Sequence, residues 1–225
     1  MGETTFRLRV TYGKTGRLRF LSHLEVVRAC ERAVRRVGLA YAVTQGFNPH
    51  MKVAFGPALP VGTGGCAESY DVWLTRFVPP VEVLAGLRES TTEGLAPTGA
   101  RYLPEKEPSL TAALTLAEYE VVLEGPGVGP DEVRAGLEAV VADGSLAIEH
   151  KGKSKVFDLS VALPKEPVVG ESIGGAKVHV STRMGASGSL RPEALVSEAL
   201  RRASVRGGVT TRVTRISLRS EEAGA

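Results

Sequence analysis

Four arginines, Arg28, Arg32, Arg35 and Arg36, recur in EVVRACERAVRR at spacings that suit one side of a helix. At about 100° per residue the first three fall within about 60° of one another, with Arg36 adjacent. A guanidinium is a planar fork of donors that keeps its charge, so such a row suits phosphate oxygens. Glu25 and Glu31 flank the row without neutralising it, and Arg17 and Arg19 stand just upstream. The competing reading is a solvated basic face, since surface arginines are common.

A second group follows in YAVTQGFNPHMKVAFGPALPVG, residues 41–62. Gly46 permits a tight or left-handed turn, and Pro49 holds Asn48 extended. Phe47 beside such a turn could stack on an unpaired base, while Gln45, Asn48 and His50 could read base edges or phosphate, with Lys52 adding charge. The alternative is a β-bulge in which Phe47 plugs the core and the amides satisfy the turn backbone.

In the second half, HKGKSK sets Lys151, Lys153 and Lys155 at alternating positions, hence on one side if extended. Gly152 would make the tip of a hairpin. The segment RMGASGSLRP joins a strand to a helix, and Gly185 and Gly188 could expose amides near a helix start, with Arg183 and Arg191 adding charge. It lacks the Gly-Lys-Ser/Thr ending of a nucleoside-triphosphate loop. A solvated turn and a plain connection are the respective alternatives. The four histidines, His23, His50, His150 and His179, show no metal-ligand spacing, and no Gly-x-Ser-x-Gly elbow occurs. His23 and His50 would serve as the acid/base pair of a metal-free ribonuclease only if they met in space. His23 also falls toward the apolar side of its helix, as a packed histidine would.

These residues need elements to position them. TFRLRVTY alternates like a half-buried strand. Ser22 and Glu25 have capping-box spacing, and Val26, Cys30, Ala33 and Val37 form an apolar helical stripe that Gly38 ends. LAYAV and MKVAF read as strand pieces, ESYDVWLT as a strand, VEVLAGLRES as a helix behind Pro80, and GARYL as a strand. The charged, proline-bounded segment after it reads as a linker. Beyond it EYEVVLE predicts a strand and the segment after Pro130 a helix. LAIEHKGKSKVFDLSV predicts a hairpin or bent strand and AKVHVST a further strand. EALVSEALRRA near Pro192 predicts a helix and TTRVTRISL a last strand. The order predicts an α+β protein of two tandem ferredoxin-like βαββαβ units with antiparallel sheets, over 1–103 and 115–220. Residues 104–114 would link them and 221–225 would be a disordered tail.

The net charge of +3 conceals an uneven distribution. Residues 1–56 hold ten Lys/Arg against three Asp/Glu, residues 57–150 five against fifteen, and residues 151–225 thirteen against seven. Basic ends around an acidic middle suggest a polyanion partner if the ends meet; uneven solvation is the plainer reading. No apolar stretch suits a membrane helix, and the N-terminus is not built like a signal peptide. The two cysteines, Cys30 and Cys66, sit in unrelated surroundings, so a reduced, cytoplasmic protein is expected.

The motifs Phe20-Leu21-Ser22-His23, Gly46-Phe47-Asn48-Pro49-His50 and Ala58-Leu59-Pro60, followed by ESYDVWL, closely resemble a radical-SAM-linked bacterial family of unknown function. Its members look like companions of B12-binding radical SAM proteins, fused to them or encoded alongside. The motifs cover about the first 75 residues, with Met51 where the family usually carries proline. The resemblance implies a radical SAM partner. This chain has no Cys-x3-Cys-x2-Cys run, so iron–sulfur cluster, S-adenosylmethionine and cobalamin would belong to that partner. The expected architecture is also similar to the RAMP-type RNA-binding proteins of CRISPR systems. Together these give the expectation of a module that recognises RNA, tRNA or rRNA, for a radical SAM enzyme and has no independent catalysis. A protein-docking module and a metal-independent endoribonuclease are the alternatives.

Overall fold

The computed structural model describes residues 4–104, 106–150, 152–185, 188–205 and 207–221, with the backbone alone for His150 and Lys153. It is a mixed α+β protein, and its contacts divide it into two compact units, Met1–Leu114 and Thr115–Ala225.

The first unit runs β1 (Phe6–Lys14), a 3-10 turn (Gly16–Phe20), α1 (His23–Arg36), β2 (Val53–Phe55), β3 (Gly64–Leu74), α2 (Pro80–Glu89) and β4 (Pro97–Tyr102). β1 is antiparallel to both β4 and β3, and β2 pairs antiparallel with β3, which gives the order β4-β1-β3-β2. Alternation sorts β1 into two faces: Leu8, Val10 and Tyr12 are buried in the core. The first helix starts as its sequence demands. Ser22 accepts the Glu25 N–H while the Glu25 carboxylate accepts the Ser22 N–H, a complete capping box. Those bonds, with the nearby Arg28 charge, hold the Glu25 carboxyl below its ordinary range. Val26, Cys30, Ala33 and Val34 then meet the core. Burial pushes the Cys30 thiol up to about 12, so this cysteine is a packing residue and no nucleophile.

The opposite face of the first sheet is ionic. Asp71, wholly buried, accepts hydrogen bonds from Arg7 and Arg9. Arg7 also donates to the carbonyls of Glu107 and Pro108, and the Glu107 carboxylate lies near Arg9 and Arg101. The 104–114 segment, expected to be a linker, is therefore tied into the first unit and ends in a short helix, α3 (Leu110–Ala113).

The second unit runs β5 (Leu116–Glu124), α4 (Pro130–Ala142), β6 (Ser145–His150), β7 (Lys153–Asp158), a helical turn α5 (Leu159–Ala162), β8 (Val168–Ser172), β9 (Gly175–Arg183), α6 (Pro192–Arg202) and β10 (Thr210–Arg219). Its main sheet has the order β10-β5-β9-β8, all antiparallel. The β6–β7 hairpin pairs with itself as a separate two-stranded sheet inserted between α4 and β8. The expected reading missed β8, VVGES, whose glycine and polar residues hide a strand exposed along much of its length. Helices α4 and α6 pack so closely at Gly136 that a Cβ there would collide with the Ala199 backbone. In the expected tail, the Glu221 side chain pairs with Arg183; residues 222–225 lie outside the described set. Among the described residues, no helix is long and apolar enough to cross a membrane.

Candidate functional site

Of the two expected strand pieces around QGFNPH, MKVAF supplies β2 at Val53–Phe55, while LAYAV reduces to isolated bridges, Tyr41 to Leu74 and Val43 to Met51. The Val43 bridge closes the base of a loop. Thr44 N–H donates to the His50 carbonyl, His50 N–H to the Thr44 hydroxyl, and Lys52 N–H to the Ala42 carbonyl. Met51, only 2% exposed, anchors this base in the core. Above it every residue from Gln45 to His50 is exposed, and Phe47 is 100% exposed. Gly46 has φ of +144°, in the region that favours glycine. Phe47 therefore does not plug the core. The neighbouring Met51 does, because the loop lifts the aromatic ring into water.

On α1, Arg28, Arg32, Arg35 and Arg36 are all exposed, opposite the buried stripe. The row is not uniform. Arg35 reaches back to Glu31 at 3.1 Å and lies over the Tyr41 ring at 6.0 Å, at the entry to the loop. Arg36 points to the Ser90 carbonyl at 3.5 Å. No acid comes within ion-pair distance of Arg28 or Arg32 among the described residues. Lys52 lies over the Trp73 ring at 4.9 Å, and Arg7 approaches the same ring at 5.4 Å. Arg17 is exposed, and Arg19 covers the Phe20 ring at 4.7 Å. The Arg19 carbonyl accepts the Gly62 N–H, which brings the Ala58-Leu59-Pro60 loop against the start of the helix.

His23 stands edge-on to Phe55, ring centres 5.7 Å apart, and lines a narrow cleft with Tyr12, Lys14, Leu59 and Glu68. His50 is not part of that cleft. The fold thus separates the environments of the two histidines, one packed and one on the exposed loop. Lys14 and Glu68 are almost wholly buried there, a charged pair of residues that the sequence reading passed over. Their signal was available: Lys14 ends β1 and Glu68 lies within β3, each on the same face as the apolar inward positions of its strand.

In the second unit, Lys151 lies outside the described residues, as does the side chain of Lys153. Lys155 is half-buried, with its ammonium 4.4 Å from the Phe157 ring centre and 3.5 Å from where a Cβ on Gly188 would sit. Its ammonium thus packs against the hairpin and the loop at Gly188. Arg183 is bound to Glu221 and to the Val161 carbonyl, and the Glu221 carboxylate raises its affinity for a proton. Gly185 and Gly188 are exposed, and Arg191 is the N-cap residue of α6, its side chain making no cap bond. Residues 186–187 between the two glycines lie outside the described set.

Sequence reading also missed three exposed apolar side chains on the first unit, Phe20 (57%), Leu24 (64%) and Val61 (64%). Leu24 precedes Arg28 by one helical turn and so heads the same outward stripe.

Comparison with known proteins gives one family. Residues 7–192 match the family described as "Uncharacterized protein conserved in bacteria (DUF2344)". The chain belongs to this family. Nothing among curated proteins matches it. A crystal structure of an unknown protein from Galdieria sulphuraria is similar at 13% identity with a TM-score of 0.28, over 95% of this chain and 100% of that one. In this DUF2344 protein the family match takes in both the exposed loop and the second unit up to the first residue of α6.

Proposed function

We propose that the protein is an RNA-recognition module of the cytoplasm, without catalysis of its own, that presents tRNA or rRNA to a radical SAM modification enzyme. The observation that carries this reading is Phe47, a ring wholly in water at the tip of a loop pinned at its base. An isolated aromatic held out on a defined stalk is a stacking platform for an unpaired base. The Arg35–Tyr41 contact links the root of the loop to the cationic face of α1, where Arg28 and Arg32 can take phosphates. Gln45, Asn48 and His50 flank the ring and would give selectivity. The partner would hold the iron–sulfur cluster, S-adenosylmethionine and cobalamin. We also read each unit as ferredoxin-like, so that the chain carries two such units in tandem as RAMP-type proteins do. Support comes from the order β4-β1-β3-β2 in the first unit and the matching β10-β5-β9-β8 in the second.

The test is fluorescence anisotropy of the purified chain with labelled single-stranded and stem-loop RNA. Neutralising three or four phosphates makes affinity fall roughly 20- to 150-fold between about 50 and about 200 mM salt. Absent binding, or binding indifferent to salt, overturns the reading.

A second reading, docking of the radical SAM protein, draws on the exposed Phe20, Leu24 and Val61. Exposed apolar side chains on the same unit as cations suit a protein surface better than a nucleic acid. Leu24→Ala separates the two: loss of co-purification with the radical SAM protein at unchanged RNA affinity selects docking.

A further inference from the structure

The second unit contains a trough between the β6–β7 hairpin and the entry to α6, with a volume of about 570 Å3. Ile148 and Phe157 line it from neighbouring strands of the hairpin and Ala194 from the helix. Lys155, Gly188 and Arg191 complete its polar side. An adjoining cleft of about 350 Å3 shares Lys155, Phe157 and Gly188, so the two are walled by the same contact between ammonium and loop. A Cβ at position 188 would sit in ordinary contact with the Lys155 ammonium, 3.5 Å away, and φ of +92° there favours glycine.

The lining sets requirements on an occupant. Ile148, Phe157 and Ala194 ask for a flat apolar group. Arg191, exposed, asks for an anion. Lys155 and Glu193 already hold interactions of their own, so the anion is assigned first to Arg191. The carboxylates of Glu149 and Glu193, also in the lining, accept from hydroxyl or amino donors such as those of a ribose or a base. Inorganic phosphate alone would leave the apolar wall wet. A volume of this size lies within the range of small-molecule sites. We propose that this trough binds a nucleoside 5′-phosphate, with the base against Phe157 and Ile148 and the phosphate at Arg191. The same chemistry comes from a free nucleotide or from one unit of an RNA chain. The proposal does not depend on the α1 face of the first unit.

The test is calorimetric titration of the full chain with AMP, GMP, CMP and UMP, alongside adenosine and inorganic phosphate. At least one monophosphate should bind saturably below about millimolar concentration, with its nucleoside and phosphate alone each at least about tenfold weaker. Ala194→Phe fills the trough from an outward helix position and should abolish binding. Arg191→Ala should weaken it about tenfold, with circular dichroism checking that both variants stay folded. A 5′-phosphorylated tetranucleotide that displaces the monophosphate identifies an RNA chain as the source; failure to displace it identifies the free nucleotide. Absence of saturable binding by any probe, or binding retained in both variants, overturns the proposal. Arg28→Ala/Arg32→Ala should leave monophosphate affinity unchanged, so the failure of one site is told apart from the failure of the other.

Discussion

Helices α1 and α6 look alike in sequence, each closing on adjacent arginines, yet α1 carries two further arginines, Arg28 and Arg32, whose treatment by the fold differs from that of the α6 pair. On α6, Arg201 and Arg202 both bind Glu198, and Arg202 also reaches Asp143. Hydrogen bonds from Arg201 and then Arg202 draw the Glu198 carboxyl down to about 2. On α1, Arg28 and Arg32 stand in solvent. The same contrast runs through the whole charge pattern. Arg219, Lys177 and Arg212 of the basic last third pair with Glu118, Glu120 and Glu124 of the acidic middle. Part of the asymmetry along the chain therefore cancels across one sheet of the second unit. In the first unit Asp71 and Glu107 absorb Arg7 and Arg9. The outer face of α1 keeps Arg28 and Arg32 as cationic surface. The charge of a stretch is thus a poor guide to its field, because pairing is decided by strands and helices far apart in sequence.

The sharpest break of this comparison is at the most deeply paired arginines. Asp71→Asn leaves Arg7 and Arg9 without their shared carboxylate in a buried site, and should cost about 3–5 kcal/mol of stability. An unchanged urea midpoint would show that the pair is screened after all. Next, Arg28→Ala/Arg32→Ala should lower RNA affinity on the order of thirtyfold. Its effect on stability should stay within about 0.5 kcal/mol. Arg201→Ala/Arg202→Ala is the control and should leave affinity unchanged; if the α6 variant matters as much, the contrast drawn above is wrong. Phe47→Ala should weaken RNA binding about tenfold through lost stacking, with no shift in melting because the ring touches no core. The smallest effect concerns Glu198. Its folded carboxyl lies below the ordinary 4.5, so its contribution is present above that pH and is lost as pH falls toward about 2. Exposed helix pairs contribute a few tenths of a kcal/mol, so Glu198→Gln should be less stable by about that much at neutral pH. The gap should close in urea melts between about pH 5 and pH 2.5; a constant gap sinks the account.

Much of the fold was legible because its signals are local. The capping box at Ser22 and Glu25, the stripe Val26, Cys30, Ala33, the glycine stop at Gly38 and the prolines opening α2, α4 and α6 each act within one or two turns. Less legible were features set by distant partners. β8 gains its strand identity from pairing with β9. The hairpin leaves the main sheet because β8, and not β6 or β7, pairs with β9. The 104–114 segment looks like a linker until Arg7 claims its carbonyls.

For the candidate site the division is similar. Residue types and spacing alone set the arginine row on one helix face and made the glycine-bearing hexapeptide a turn, since helical periodicity and backbone sterics are properties of neighbours. Only the tertiary structure decided that Met51 enters the core while Phe47 stays in water, and that Arg28 and Arg32 of α1 keep no ion-pair partner among the described residues while Arg201 and Arg202 of α6 do. Burial and ion pairing depend on which strands and helices come to lie side by side, and that is a property of the packed chain.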